Sequence, residues 1–146
     1  MSYWDTSALA KLYVNEPDSV LFEHKSATET QAPVTGRVTL FEMRRAVFRK
    51  EADGFLRPLF AETILQKLDA DVQAGGVRVA EGDLTVLAEF DRIMPACYRR
   101  NPPLPIRTLD ALHLASARVA GETEIVATDK RLREAALVLG FTLFPA

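Results

Sequence analysis

The chain has 146 residues, of which 48% are hydrophobic and 26% charged, which is typical of a globular protein and excludes a disordered or fibrous one. Its formal net charge of -2 excludes a chain that is basic throughout, so any nucleic-acid contact must come from local positive clusters. Cys97 is the only cysteine, which rules out an internal disulfide and agrees with a reducing compartment. No apolar run approaches the ~20 residues that cross a bilayer, and the start lacks a signal-peptide pattern, so we expect a cytoplasmic protein with no membrane segment.

Extended and helical patterns alternate along the chain with short breaks between them. We predict strands at residues 2–4, 31–34, 77–80, 124–127 and 141–144. We predict a first helix capped by Thr6 or Ser7, a second that begins at Asp18 or Ser19, and further helices over 38–52, 56–74, 83–100, 108–119 and 130–139. Repeated strand–helix–strand units give parallel sheets with right-handed crossovers. The prediction is one α/β domain over residues 1–146, with a short parallel β-sheet flanked by helices in three layers.

Four acidic residues lie where predicted strands run into helices or inside a helix: Asp5, Glu42, Asp110 and Asp129. Two of them end strands, at the edge of a parallel sheet where ligands bind, and the other two lie on helices that can lean over that edge. Two carboxylates about 5 Å apart repel by roughly 3 kcal/mol at an effective dielectric constant near 20, so four together need cations or protons. An all-oxygen pocket suits Mg²⁺ or Mn²⁺.

Each acid also has an ordinary structural interpretation. Asp5, Asp110 and Asp129 could each cap a helix or lie in its first turn, where the helix dipole favours negative charge. Glu42 could pair with the arginines that follow it. However, Glu42 lies a turn inside its helix among apolar residues, which does not fit a cap.

The histidines, the tryptophan and the cysteine are interpreted as structural or solvent-exposed. His113 follows Asp110 by three residues, so we expect an imidazole at the edge of the core, bonded to the backbone or to Asp110, rather than a metal ligand. His24 is expected in solvent, and Trp4 and Cys97 in packing. No Cys/His pair or elbow-type serine motif is present, so no side-chain nucleophile is indicated.

Basic residues cluster around the acids in sequence. A rim of cations can hold a polyanion through phosphate contacts, although about half of these charges are expected to be simply solvated. The candidates are Arg44, Arg45, Arg49, Lys50, Arg99, Arg100, Arg107, Lys130, Arg131 and Arg133.

The first half of the chain carries more large apolar groups than its helices need for a core. We expect some of them to remain exposed and to form a protein interface. They are Leu9, Leu12, Tyr13, Phe41, Phe48, Phe55, Leu59 and Phe60.

Four segments together resemble the PIN-domain superfamily, and within it the VapC-type toxins of bacterial toxin–antitoxin pairs. They are DTSALAKLY at 5–13, VTLFEMRRA at 38–46, LDALHLASA at 109–117 and VATDKRLREAALVLGF at 126–141. Each segment alone is weak evidence, but their order and spacing cover almost the whole chain.

The resemblance implies that Asp5, Glu42, Asp110 and Asp129 hold Mg²⁺ or Mn²⁺ in a metal-dependent endoribonuclease that cleaves RNA to leave a 5′-phosphate and a 3′-hydroxyl. Thr6 or Ser7 resembles the small hydroxyl residue that follows the first acid. At the last acid, relatives often carry Thr or Ser two residues earlier, where this chain has Ala127, with Thr128 next to the acid instead. The resemblance further implies a homodimer and a cognate antitoxin whose C-terminal segment covers the active site.

Two alternatives stay open at this point. A phospho-receiver-like signalling domain also gathers acids and Mg²⁺ at strand ends, but it normally has adjacent acids after the first strand and a phospho-acceptor after the third. Here the first strand supplies one Asp, and residues 77–80 lead into Glu-Gly. A catalytically inactive PIN-like binding module is the second alternative, and the complete set of four acids argues against it.

Overall fold

The computed structural model describes residues 1–146 and contains one five-stranded sheet in which every strand pair is parallel. The strand order is β3-β2-β1-β4-β5. The strands are β1 Ser2–Trp4, β2 Val34–Gly36, β3 Arg78–Ala80, β4 Glu124–Val126 and β5 Thr142–Phe144. A receiver of the flavodoxin-like type has the order 2-1-3-4-5, so the phospho-receiver alternative is wrong.

Helices connect the strands and cover the sheet. They are α1 Thr6–Leu9, α2 Ser19–Thr28, α3 Arg37–Ala52, α4 Ala61–Ala74, α5 Leu84–Tyr98, α6 Thr108–Val119 and α7 Lys130–Val138, with a 3₁₀ turn at Ala10–Leu12. None of these helices combines the length and the apolar character that a membrane span requires.

The core is divided into two parts by the sheet, because successive strand residues point to opposite faces. Tyr3 and Ile125 belong to one apolar cluster, which includes residues of α5, α6 and α7. Their neighbours Trp4 and Val126 belong to the other, which includes residues of α1, α3 and α4. The predicted three-layer α/β architecture is therefore confirmed, as is the packing role of Trp4 and Cys97, both fully buried.

The structure corrects three predicted element boundaries. The second strand begins at Val34, the last residue of the predicted 31–34 segment. The fourth helix begins at Ala61 instead of residue 56, because Pro58 is followed by Leu59 at φ 64, in the left-handed region that a helix excludes. The first helix is capped by Asp5 itself, not by Thr6 or Ser7.

Candidate active site

Asp5 lies directly after the central strand and is 4% exposed. Its Oδ1 accepts hydrogen bonds from the Ala8 backbone N–H at 2.9 Å and from the Ser7 hydroxyl at 2.7 Å. Burial raises the pKa of Asp5 to about 6, against the lowering effect of these hydrogen bonds. The capping interpretation of Asp5 is thus correct. Capping does not balance its negative charge, because no cationic side chain contacts this carboxylate.

Glu42 lies in the second turn of α3 and reaches across to two other elements. Its Oε1 accepts a hydrogen bond from the Thr6 hydroxyl at 2.8 Å and lies 2.6 Å from His113 Nε2. Burial favours the neutral acid, but His113, Thr6 and the charge of Arg107 outweigh burial and lower the pKa of Glu42. Glu42 therefore stays ionised, and it is not the surface partner of a neighbouring arginine.

Asp110 and Asp129 are connected by one arginine. Arg107 Nε donates to Asp110 Oδ2 at 3.0 Å, and Arg107 Nη2 lies 3.6 Å from Asp129 Oδ1. Asp110 is in the first turn of α6, and Asp129 caps α7 by accepting from the Leu132 N–H at 2.9 Å. The positively charged guanidinium thus lies between two of the four acids, in the position that a metal cation would take.

His113 is placed differently from the sequence prediction. It contacts neither the backbone nor Asp110; instead its Nδ1 lies 2.8 Å from the Tyr3 hydroxyl, while Nε2 faces Glu42. Burial raises the pKa of Tyr3, which keeps its hydroxyl protonated and able to donate. Arg107, Asp110 and His113 are spaced by three residues along one helix face, and this spacing in the sequence indicates the contact between Arg107 and Asp110.

The hydroxyl residues after Asp5 link the acids to one another. Thr6 donates to Glu42, and Ser7 donates to Asp5 while accepting from the Thr128 backbone N–H at 3.1 Å. Thr128 therefore contributes its amide here, and its side chain has no hydrogen bond in this network. Thr6, Ser7 and Thr128 all lie at the site, so the hydroxyls connect three of the four chain segments that carry the acids.

The arrangement is not a closed metal cage. No three His, Cys, Asp or Glu side chains are placed close enough together to share one ion. Nevertheless, the donor set fits a hard divalent cation: it consists of carboxylate oxygens, one acid is buried without a counter-charge, and a guanidinium already lies between two others. The assignment of Asp5, Glu42, Asp110 and Asp129 as metal ligands stays a prediction.

About half of the basic residues singled out from the sequence have partners within the chain. Arg44 pairs with Asp69, Arg49 with Asp53 and Lys50 with Glu16, and Arg133 donates to backbone carbonyls. Arg107 pairs with Asp110 and Asp129, as described above. The remaining five basic residues make no ion pair within 4.0 Å. They are Arg45, Arg99, Arg100, Lys130 and Arg131.

Comparison with known proteins adds to this geometry. The PIN domain family matches residues 2–138. "Ribonuclease VapC35" of Mycobacterium tuberculosis is 28% identical over 148 residues, covering 98% of this chain and 95% of the relative. The fold is similar to that in the crystal structure of VapBC2 from Rickettsia felis, with a TM-score of 0.68, 14% identity and coverage of 98% and 97% of the two chains. It is also similar to FitAcB from Neisseria gonorrhoeae, with a TM-score of 0.64, 16% identity and coverage of 99% and 96%. The match over nearly the whole length means that this chain belongs to the PIN domain family.

Proposed function

We propose that the chain is a metal-dependent endoribonuclease that acts as the toxin of a toxin–antitoxin pair. The observation that supports the proposal is that short polar contacts link the four acids to neighbouring segments. Thr6 donates to Glu42 and Ser7 donates to Asp5. Arg107 lies between Asp110 and Asp129. Similarity to a ribonuclease over almost the full length of both chains supports the same conclusion.

The four carboxylates would hold Mg²⁺ or Mn²⁺. When bound, such an ion offsets the carboxylate charge and lowers the pKa of a water molecule, so that hydroxide can attack phosphorus. This chemistry needs no side-chain nucleophile, in agreement with the absence of any such motif.

The protein's own groups prepare the site. Ser7 and the Ala8 amide fix the rotamer of Asp5, and Thr6 and His113 fix that of Glu42, so both acids are positioned by buried or half-buried neighbours. Arg107 is about half exposed and can exchange its carboxylate contacts for a phosphate oxygen of RNA.

The test is RNA cleavage by the purified chain in Mg²⁺ or Mn²⁺ and in EDTA. Asp110→Asn retains size and removes a charge and an anionic ligand, so we expect cleavage to fall by orders of magnitude while the protein stays folded. Asp91→Asn is the matched control, since Asp91 is exposed on α5 and forms no ion pair. Cleavage that persists in EDTA, or that survives Asp110→Asn, contradicts the proposal. A folded protein that never cleaves RNA would instead support the inactive binding module.

We further propose a cognate antitoxin whose C-terminal segment covers the site, together with a homodimer. As expected from the sequence, several large apolar groups of the first half lie outside the core: Phe41, Phe48, Phe55 and Leu59 are 70%, 44%, 76% and 82% exposed. Phe41 and Phe48 are seven residues apart on α3, which places them on one face of the helix. A partner with apolar anchors and a cation aimed at the four acids would match this surface in shape and charge.

A further inference from the structure

A groove of about 770 Å³ opens beside the acids, between the loop that follows α5 and the first turns of α7. Asp110 and Arg107 lie in its lining, so the groove is continuous with the candidate active site. Tyr98, at the end of α5, and Arg131, in the first turn of α7, also line the groove.

The loop wall is held in place by its own contacts. The Tyr98 hydroxyl donates to the Ile106 carbonyl at 2.9 Å, and the Leu104 N–H donates to the Cys97 carbonyl at 2.9 Å. Pro103 and Pro105 restrict the backbone between these anchors. The groove is therefore formed before any ligand arrives, so a ligand does not have to order the loop.

The groups that face this space suit a nucleotide strand. Arg131 is exposed and has no acid within 4.0 Å, although Glu134 lies one turn further along the same helix. The Tyr98 side chain is 48% exposed, which leaves part of its ring accessible. An unpaired guanidinium and an accessible aromatic ring are the two groups that bind phosphate and stack a base in single-stranded nucleic acids.

We propose that this groove binds single-stranded RNA on one side of the cleaved phosphodiester, with a phosphate on Arg131 and a base stacked on Tyr98. The inference rests on the proposed ribonuclease function and adds the position of the RNA strand on the protein. A single strand is favoured over a duplex because only unpaired bases expose their faces for stacking on a side chain. Because Asp110 lies in the lining, an RNA strand in this groove reaches the acids without crossing another surface.

The test measures binding of a short fluorescein-labelled oligouridylate by anisotropy, in EDTA so that the RNA stays intact, over a range of salt concentrations. For Arg131→Ala we expect affinity about fivefold weaker near 0.1 M salt, and a salt dependence reduced by about 0.7 in log–log slope, as for the loss of one phosphate contact. For Tyr98→Leu we expect about tenfold weaker binding with the slope unchanged, since stacking involves no ion release.

Two control variants separate recognition from structure. Tyr98→Phe removes the bond to Ile106 and retains the ring, so it should bind RNA nearly as the natural protein does. Arg92→Ala removes the same charge from an exposed site on α5 outside the groove and should have no effect. A 4-thiouridine version of the probe should form its ultraviolet crosslink in the peptide that contains Tyr98.

The outcomes distinguish the two proposals. If the natural protein cleaves RNA while Arg131→Ala and Tyr98→Leu bind like Arg92→Ala, the groove proposal is wrong and the ribonuclease function stands. If the natural protein neither binds nor cleaves RNA, both are wrong. If Arg131→Ala binds RNA normally but loses a co-expressed antitoxin, the groove is a protein-binding surface and the RNA proposal is overturned.

Discussion

His113 Nε2 lies 2.6 Å from Glu42 Oε1, and the same ring receives the hydroxyl of Tyr3 at its other nitrogen, 2.8 Å away. A neutral imidazole satisfies both contacts when Nε2–H donates to the carboxylate and Nδ1 accepts from the tyrosine. A fully buried tyrosine on the central strand is thereby connected through one ring to an acid of the candidate site.

The first prediction concerns this connection. Tyr3→Phe leaves His113 Nδ1 buried without a partner, so we expect the free energy of unfolding to fall by about 1–3 kcal/mol. His113→Gln should cost a similar amount. Because both changes disrupt one network, urea unfolding of the double variant should show less than the sum of the two losses, by about 1 kcal/mol. Additive losses would mean that Tyr3 and His113 act independently.

The second prediction concerns the charge of Asp5. Its folded-state pKa of about 6 lies above the ordinary 3.8, so the folded protein binds more protons between these pH values and loses stability as pH rises through them. The total loss is about 3 kcal/mol. Asp5→Asn retains a capping side chain without the charge. In EDTA, we expect it to be more stable than the natural protein above about pH 6, and the gain to disappear below about pH 4.

Urea unfolding at several pH values checks this prediction. Asp91→Asn serves as the control, because it removes an exposed charge and should give no pH-dependent gain. A stability difference between Asp5→Asn and the natural protein that is the same at pH 4 and pH 8 would show that burial does not disfavour the charge of Asp5.

The third prediction concerns Arg107, which lies between Asp110 and Asp129. A cation entering the site must displace this guanidinium from its acids. Solvent-exposed ion pairs of this kind are weak, so Arg107→Gln should bind Mn²⁺ up to a few-fold more tightly in calorimetry. Weaker binding in the variant would mean instead that Arg107 holds the acids in a geometry that the ion needs.

The fourth prediction concerns the start of α3. A Cβ on Gly36 would lie 2.5 Å from the Tyr3 hydroxyl and 3.3 Å from Ser116 Oγ, so an alanine there must push Tyr3 away from its place. Overpacking of this kind costs about 1–3 kcal/mol, and we expect Gly36→Ala to lower the thermal midpoint accordingly. At Gly82 a Cβ meets nothing within 4 Å, so Gly82→Ala should leave the midpoint nearly unchanged.

The fifth prediction concerns the proposed antitoxin. Phe48→Ser and Phe55→Ser remove exposed apolar groups, so they should weaken binding of an inhibitory antitoxin in a pull-down and leave RNA cleavage unchanged. Leu137→Ser removes a 60% exposed group from α7 and is the control. If Phe48→Ser and Phe55→Ser bind the antitoxin as tightly as Leu137→Ser and the natural protein do, the antitoxin contacts another surface.

The sequence predicts the fold well where local patterns are strong. The sequence predicts α3, α6 and β4 because their apolar residues recur with the spacing that is typical of a helix or a strand. The predicted start of α4 is too early because Leu56, Leu59 and Phe60 have the spacing of apolar residues on one helix face, while Leu59 adopts a left-handed conformation that this spacing does not show.

For the candidate site, the sequence indicates which acids to consider but not what contacts them. The contact between Tyr3 and His113 joins residues 110 positions apart, and no local pattern encodes it. Likewise, the charge of Arg107 is visible in the sequence, but its position between two acids depends on how α6 and α7 pack. Propensities describe a residue and its neighbours along the chain, whereas these contacts depend on the sheet that brings distant segments together.

The first strand of the chain lies in the middle of the sheet, where β2 and β4 pair with its two edges. During synthesis, one edge of β1 therefore stays unpaired until residues 124–126 have been made. At about 5–20 residues per second, that interval lasts roughly 6–25 seconds. For most of that interval Asp5 is present while Asp110 is not, and Asp129 is made only after β4. We expect a ribosome-bound chain that ends before β4 to be readily cut by protease, so that a growing chain has no assembled site until residues 124–129 have been made.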